Sequence, residues 1–92
     1  MDLKKFNEIM LLLNEAPNEA IRFELAELLF TPHELMQLGA RLEIIKYLVQ
    51  GHKTQREVAA LLKLSIAKIT RGSNELKRRS VALKTYLGEF FS

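Results

Sequence analysis

The chain has no cysteine among its 92 residues. This excludes disulfide staples, cysteine-ligated metal and a thiol nucleophile, and it fits a reduced intracellular compartment. A long apolar run is missing too. No stretch approaches the roughly 20 residues needed to span a bilayer, and the opening MDLKKF leads into an apolar segment too short, and without a small-residue cleavage site, to read as a secretion signal. The expectation is a soluble cytoplasmic protein with no membrane partner. Catalytic signatures are equally sparse: no acid pair or phosphate loop has a recognisable spacing, and the two histidines, His33 and His52, lie beside a helix start and in a linker. Neither an enzyme nor a metal site is expected. A chain of this length has room for one small domain, residues 1–92, and small domains commonly complete their cores by oligomerising.

Acidic side chains are scarce in one region. Residues 1–50 hold five Lys or Arg against eight acids, residues 51–84 hold nine against two, and residues 85–92 carry Glu89 alone. The overall charge of +3 therefore conceals a segment of +7. A concentrated basic stretch of this kind is the electrostatic footprint of a nucleic-acid binder, and equally of a merely solvated face.

Apolar spacing reads as helix throughout, with no strand pattern, repeat or low-complexity tract. Leu3, Phe6, Met10 and Leu13 recur at helical intervals while Ile9, Leu11 and Leu12 fill the other faces. A helix apolar all round must be buried on several sides, which in so short a chain points to a partner subunit. Pro17 disfavours helix at Ala16, and Asn18 is a fair N-cap for a second helix lined by Ile21, Leu25 and Leu28. Thr31-Pro32-His33-Glu34 combines a capping threonine, proline at the first helical position and a glutamate placed to close a capping box. The helix it opens carries a stripe of Leu35, Leu38, Leu42, Ile45 and Val49, with Met36, Ile44 and Leu48 beside it, and ends at Gly51, which suits a left-handed cap. Residues 1–50 thus read as core and dimerisation helices.

The stretch from Thr54 to about Arg78 has two short amphipathic patterns separated by a tight break at Lys63-Leu64. Thr54 with Glu57 forms a second capping box, Val58, Leu61 and Leu62 face inward, and Ala59 is small where two helices would cross. Ser65 caps the next helix, whose Ile66, Ile69 and Leu76 are apolar while Ala67, Lys68, Thr70, Arg71, Asn74 and Lys77 lie on other faces. This is the outline of a helix-turn-helix, in which the second helix enters the DNA major groove. Gly72 interrupts that helix at a propensity cost of about 1 kcal/mol, which implies that something approaches its Cα too closely for a side chain. Ser80 can cap a final helix over residues 80–92. The fold expected is all-α, with about six helices around a central helix-turn-helix.

Several of these residues together resemble the tryptophan repressor family. The likeness lies in Leu28-Leu29-Phe30-Thr31-Pro32, Leu38-Gly39-Ala40-Arg41, Thr54-Gln55-Arg56-Glu57, Ser65-Ile66-Ala67 and Ile69-Thr70-Arg71-Gly72-Ser73-Asn74. It spans roughly Leu28 to Leu87 at consistent spacing, and the Thr-Arg-Gly-Ser-Asn run after a helix-turn-helix is its most specific part. The resemblance implies an intertwined homodimer that binds operator DNA when L-tryptophan is present as corepressor. It further implies that Arg41 and Arg71 sandwich the indole, with Arg71 also meeting the ligand carboxylate. Gly72 would admit the ring, Thr31 would offer a hydroxyl, and the main-chain carbonyls of Leu28 and Phe30 from the other subunit would accept from the ammonium. Glu75 stands where the family has a small polar residue; it either accepts from the ligand ammonium or pairs with Arg71 at i,i+4. Lys63 replaces the usual turn glycine.

For DNA, Gln55 and Arg56 open the first helix of the motif, where its N-terminus can face a phosphate, and the resemblance gives Arg56 reach to a guanine. Ile66, Ala67, Lys68 and Thr70 occupy the half of the second helix that meets base edges. Lys77 reads as a phosphate contact, together with Lys53, Arg78 and Arg79. The function implied is a corepressor-dependent transcriptional repressor of tryptophan biosynthesis or uptake genes. Two other readings are a helix-turn-helix regulator with no ligand or a different one, and a helical dimerisation module that binds no DNA.

Overall fold

Each helix begins at a residue whose side chain accepts a hydrogen bond from the backbone three positions on. In the computed structural model, which describes residues 1–92, six such caps open α1 (Leu3–Asn14), α2 (Glu19–Leu29), α3 (Pro32–Gln50), α4 (Gln55–Leu62), α5 (Ile66–Lys77) and α6 (Val81–Phe90). The caps are Asp2, Asn18, Thr31, Thr54, Ser65 and Ser80, accepting at 2.8, 2.9, 3.1, 3.1, 3.3 and 3.1 Å. Each satisfies an amide that the helix itself cannot pair. Sequence spacing identified all but Asp2. The boxes at Thr31 and Thr54 are closed reciprocally, because Glu34 and Glu57 accept from the cap amides at 2.8 and 3.2 Å. Those backbone N–H groups are the main reason both carboxyls are held below the usual carboxylate range. No strand is present, so the all-helical expectation holds.

Helix ends follow the backbone preferences of the residues beyond them. Gly51 adopts φ +70° and returns its amide to the Tyr47 carbonyl at 3.1 Å. Lys63 is the one non-glycine residue at positive φ, +57°, and it closes α4 with Leu64 donating to the Ala59 carbonyl at 3.0 Å. The left-handed conformation costs a lysine about 1–2 kcal/mol relative to the ordinary regions. A third device was not visible in the spacing: Arg22 of α2 donates from Nε to the Leu13 carbonyl at 2.9 Å and from Nη2 to the Ala16 carbonyl at 3.4 Å. It thereby serves the end of α1 and the Pro17 bend.

The chain divides into two compact units, Met1–Gln37 and Leu38–Ser92. In the first, α1 packs on α2, yet neither helix buries a residue fully. Leu3 is 72% exposed, and Phe6, Leu11, Leu12 and Phe23 are exposed as well. Only Ile9 and Leu13 among the apolar residues of α1 are half-buried, so most of its apolar surface stays uncovered within the chain.

The second unit holds the core. Ile44 of α3, Val58 and Ala59 of α4 and Ile69 of α5 are buried, with Tyr47, Leu48, Leu62 and Leu64 packed against them. Val58 and Ile69 are completely enclosed, and burial on that scale stabilises by about 1.5–3 kcal/mol for each side chain. Ala59 is buried in the same cluster, as its small size led one to expect. Two expectations need correction. Leu38 and Leu42 of the long stripe are 50% and 51% exposed, and it is the Ile44, Tyr47 and Leu48 side of α3 that meets the core. α3 is apolar on more than one side, so periodicity alone could not decide which side packs. Leu61 is exposed as well, since Val58, Ala59 and Leu62 already cover the inner face of α4. Gln50 donates to the Phe91 carbonyl at 3.2 Å, tying the end of α3 to the residue that follows α6.

Candidate nucleic-acid interface

α5 is seated by one face and presents the other. Ile69, Gly72, Ser73 and Leu76 recur at three- and four-residue intervals and form the inner line; Ile69 and Ser73 are buried, Gly72 and Leu76 half-buried. Between them Ile66, Ala67, Lys68, Thr70, Arg71, Asn74 and Lys77 are all exposed. The outward set contains the four positions read from sequence as base-facing, Ile66, Ala67, Lys68 and Thr70. Ile66, although apolar, is exposed and lies outside the core.

Gly72 has a cause within the protein. A Cβ placed there would lie 2.9 Å from Cγ2 of Ile44 and 3.7 Å from Cδ1 of Leu48. The first distance is well inside carbon–carbon contact, and Ile44 is itself buried and β-branched, so it has little room to yield. The missing side chain lets α5 lie close on α3. Gly39, by contrast, has nothing within 4 Å of where its side chain would begin, so close packing in the chain does not account for it.

The two helices of the motif are joined at their exposed edge. Thr70 donates its hydroxyl to Oε1 of Gln55 at 2.9 Å. This commits the Gln55 carbonyl oxygen and leaves its NH₂ as the outward functional group, so the side chain offers donors to a phosphate or base acceptor. The capping box occupies the Thr54 amide, while the first-turn amides of Gln55 and Arg56 have no acceptor within α4. Arg56 is exposed beside them. At the other end of α5, Lys84 of α6 donates to the Lys77 carbonyl at 3.1 Å, which sets a cation at the negative end of the helix. Both bonds depend on how helices cross, and residue spacing within one helix carries no sign of them.

The residues assigned to a ligand by resemblance fall in both units. Arg41 on α3 and Arg71 on α5 belong to the second, and both are exposed and without an ion-pair partner. Gly72 lies next to Arg71 on the inner side. Glu75 does not pair with Arg71; its two oxygens accept from Arg78 at 3.3 Å and Arg79 at 3.0 Å. In the first unit, Leu28 is exposed near the end of α2, Phe30 is its half-buried C-cap, and Thr31 caps α3. The Thr31 hydroxyl is engaged as an acceptor there and retains its proton for donation.

Known proteins resemble this chain over most of its length. The family model described as Trp repressor protein matches residues 3–90. A Trp operon repressor homolog of Photobacterium profundum is 38% identical over 86 residues, 94% of this chain and 84% of that protein. Homologs of the same name from Vibrio cholerae and Aliivibrio fischeri are each 38% identical, over 85 and 82 residues. These alignments cover 92% and 89% of this chain, and 82% and 76% of the respective relatives.

Proposed function

This chain belongs to the Trp repressor protein family, and we propose that it is a sequence-specific DNA-binding repressor that takes L-tryptophan as corepressor and controls tryptophan biosynthesis or uptake genes. The observation that carries the reading is α5 itself. Its inner line is anchored on α3 and α4 by Ile69 and Gly72, while its N-terminal half exposes Ile66, Ala67, Lys68 and Thr70. A rigid scaffold holding one edge of an otherwise exposed helix is what a major-groove reader needs. Base contacts fall to these four residues and to Arg56, and Gln55 and Lys77 meet phosphates.

The corepressor lies between Arg41 and Arg71, whose planar guanidiniums can stack on an indole, with Gly72 at its edge and Glu75 toward its charged end. Leu28, Phe30 and Thr31 are included on the family resemblance alone. The working unit is a homodimer in the cytoplasm. Supporting this is the uncovered apolar surface of α1, which a second copy would bury. The decisive experiment is a titration of candidate operator duplexes with and without L-tryptophan; an affinity that ignores the amino acid removes the corepressor role.

One observation favours a second reading, a regulator that works without ligand. Packing against Ile44 explains Gly72 with no small molecule, and Glu75 is already engaged by Arg78 and Arg79. Calorimetry with L-tryptophan on the native chain and on Arg71→Ala separates the two. The corepressor reading predicts measurable heat that the substitution abolishes, and the ligand-free reading predicts none.

A further inference from the structure

Residues 51–84 carry nine Lys or Arg and only two carboxylates, Glu57 and Glu75. Glu57 is committed to the start of α4, where it accepts from the Thr54 amide. Glu75 is thus the only carboxylate of the segment that meets its cations, and it meets two. Oε1 accepts from Nη1 of Arg78 at 3.3 Å and Oε2 from Nη2 of Arg79 at 3.0 Å, so each oxygen serves a different guanidinium. Two anionic oxygens divided between two arginines reproduce the contacts a backbone phosphate makes with the same side chains. All three side chains stay at least half exposed: Glu75 50%, Arg79 57% and Arg78 74%. Exposed pairs of this kind are weak and exchange readily for a competing anion.

We propose that Glu75 is an internal stand-in for a DNA phosphate, holding Arg78 and Arg79 in the free protein and so weakening charge-only binding to DNA of arbitrary sequence. The inference rests on the DNA-reading function proposed above. A phosphate reaching this end of α5 must displace the carboxylate from both guanidiniums. The cluster then presents a net charge of +1 where its two arginines alone would present +2. Affinity that is independent of sequence comes mainly from counterions released as phosphates are neutralised. Glu75 subtracts from that contribution. The base-facing residues at the opposite end of α5 form no bond with it, so their contribution is untouched. Glu75 therefore tempers the charge-only part of DNA affinity, a part that every sequence shares, and leaves base reading in place.

The test uses the intact protein and a fluorescent duplex of arbitrary sequence, about 30 base pairs long, titrated between about 50 and 200 mM salt. Glu75→Gln should bind this duplex about three- to fivefold more tightly than the native chain at the low-salt end, the range expected for releasing an exposed pair. Its log–log salt dependence should be steeper by about one. Glu75→Ser should behave alike, and thermal melts followed by circular dichroism identify folded variants. Glu89→Gln, which removes the same charge from an exposed residue of α6, should leave binding within about 1.5-fold of native, since its charge neighbours no arginine pair. In an Arg78→Ala/Arg79→Ala background the gain from Glu75→Gln should vanish. The proposal is overturned if Glu75→Gln matches Glu89→Gln, or if its gain persists without the two arginines, since Glu75 would then act only as a repelling charge. Native protein that binds the duplex while Glu75→Gln changes nothing defeats this inference alone. Native protein that binds no duplex at any salt defeats the DNA-reading function, and this inference with it.

Discussion

Gly72→Ala tests how α5 is held. Away from tertiary contacts, replacing an interior helical glycine by alanine stabilises by about 1 kcal/mol. Here the new methyl would lie 2.9 Å from Cγ2 of Ile44, and overpacking a buried position costs about 1–3 kcal/mol. The second effect is the larger, so the variant should be less stable by up to about 2 kcal/mol. In a chain this short, each kcal/mol corresponds to about 4–8 °C in Tm. Ile44→Met removes the β-branch at an expected cost below about 1.5 kcal/mol, because an unbranched chain can move away from the intruding methyl. On that background Gly72→Ala should be neutral or stabilising, giving a coupling of about 1–3 kcal/mol between the two sites. Urea denaturation of the four proteins, at one protein concentration and without ligand, measures the cycle. A Gly72→Ala chain about 1 kcal/mol more stable than native, or a cost identical on both backgrounds, would refute the claim that Ile44 is why position 72 is glycine.

Three other outcomes follow from the same geometry. Glu57 is held below the usual carboxylate range mainly by the Thr54 amide, so its contribution is present above the ordinary glutamate value of 4.5 and lost as pH falls through the lower folded value. The Tm difference between native protein and Glu57→Gln should accordingly shrink as pH drops below about 4.5, and a difference constant with pH would contradict the assignment. Lys63→Gly relieves a positive φ worth about 1–2 kcal/mol against an unfolded-state entropy cost of about 0.4–1 kcal/mol, so chemical denaturation should show a gain of up to about 1.6 kcal/mol; a clear loss would mean that Lys63 contributes something other than strain. Thr70→Val removes the hydroxyl that fixes Gln55, and operator affinity should fall in a manner non-additive with Gln55→Ala; strictly additive losses would show the two side chains acting separately.

Much of this fold could be read from short-range chemistry. Five of the six N-caps, both capping boxes, the left-handed Gly51 and the turn at Lys63-Leu64 depend on neighbours within four residues, and spacing is sufficient to find them. The long-range choices were different. α3 offers apolar residues on more than one side, and only the crossing of α4 and α5 selects Ile44 over Leu38 and Leu42. Glu75 has arginines at i−4, i+3 and i+4, all within helical reach, so the sequence permits Arg71 as readily as Arg78 and Arg79. Gly72 announced a close approach but not what approaches, and Ile44 is 28 positions away. The Thr70–Gln55 bond joins residues 15 apart on different helices, where no periodicity applies. The outward face of α5, on which the DNA reading depends, was legible because Ile69 and Leu76 mark its inner side.

Control of DNA reading by L-tryptophan is the core of the proposed function. It is tested most directly by measuring the affinity of the native chain for a candidate tryptophan-gene operator across a range of salt, with and without the amino acid, alongside a duplex of scrambled sequence. L-tryptophan is expected to strengthen operator binding at least about tenfold, within the usual range of coupling between sites, and to leave the scrambled duplex nearly unchanged. Equal affinity for the two duplexes, or operator binding indifferent to L-tryptophan, would contradict it.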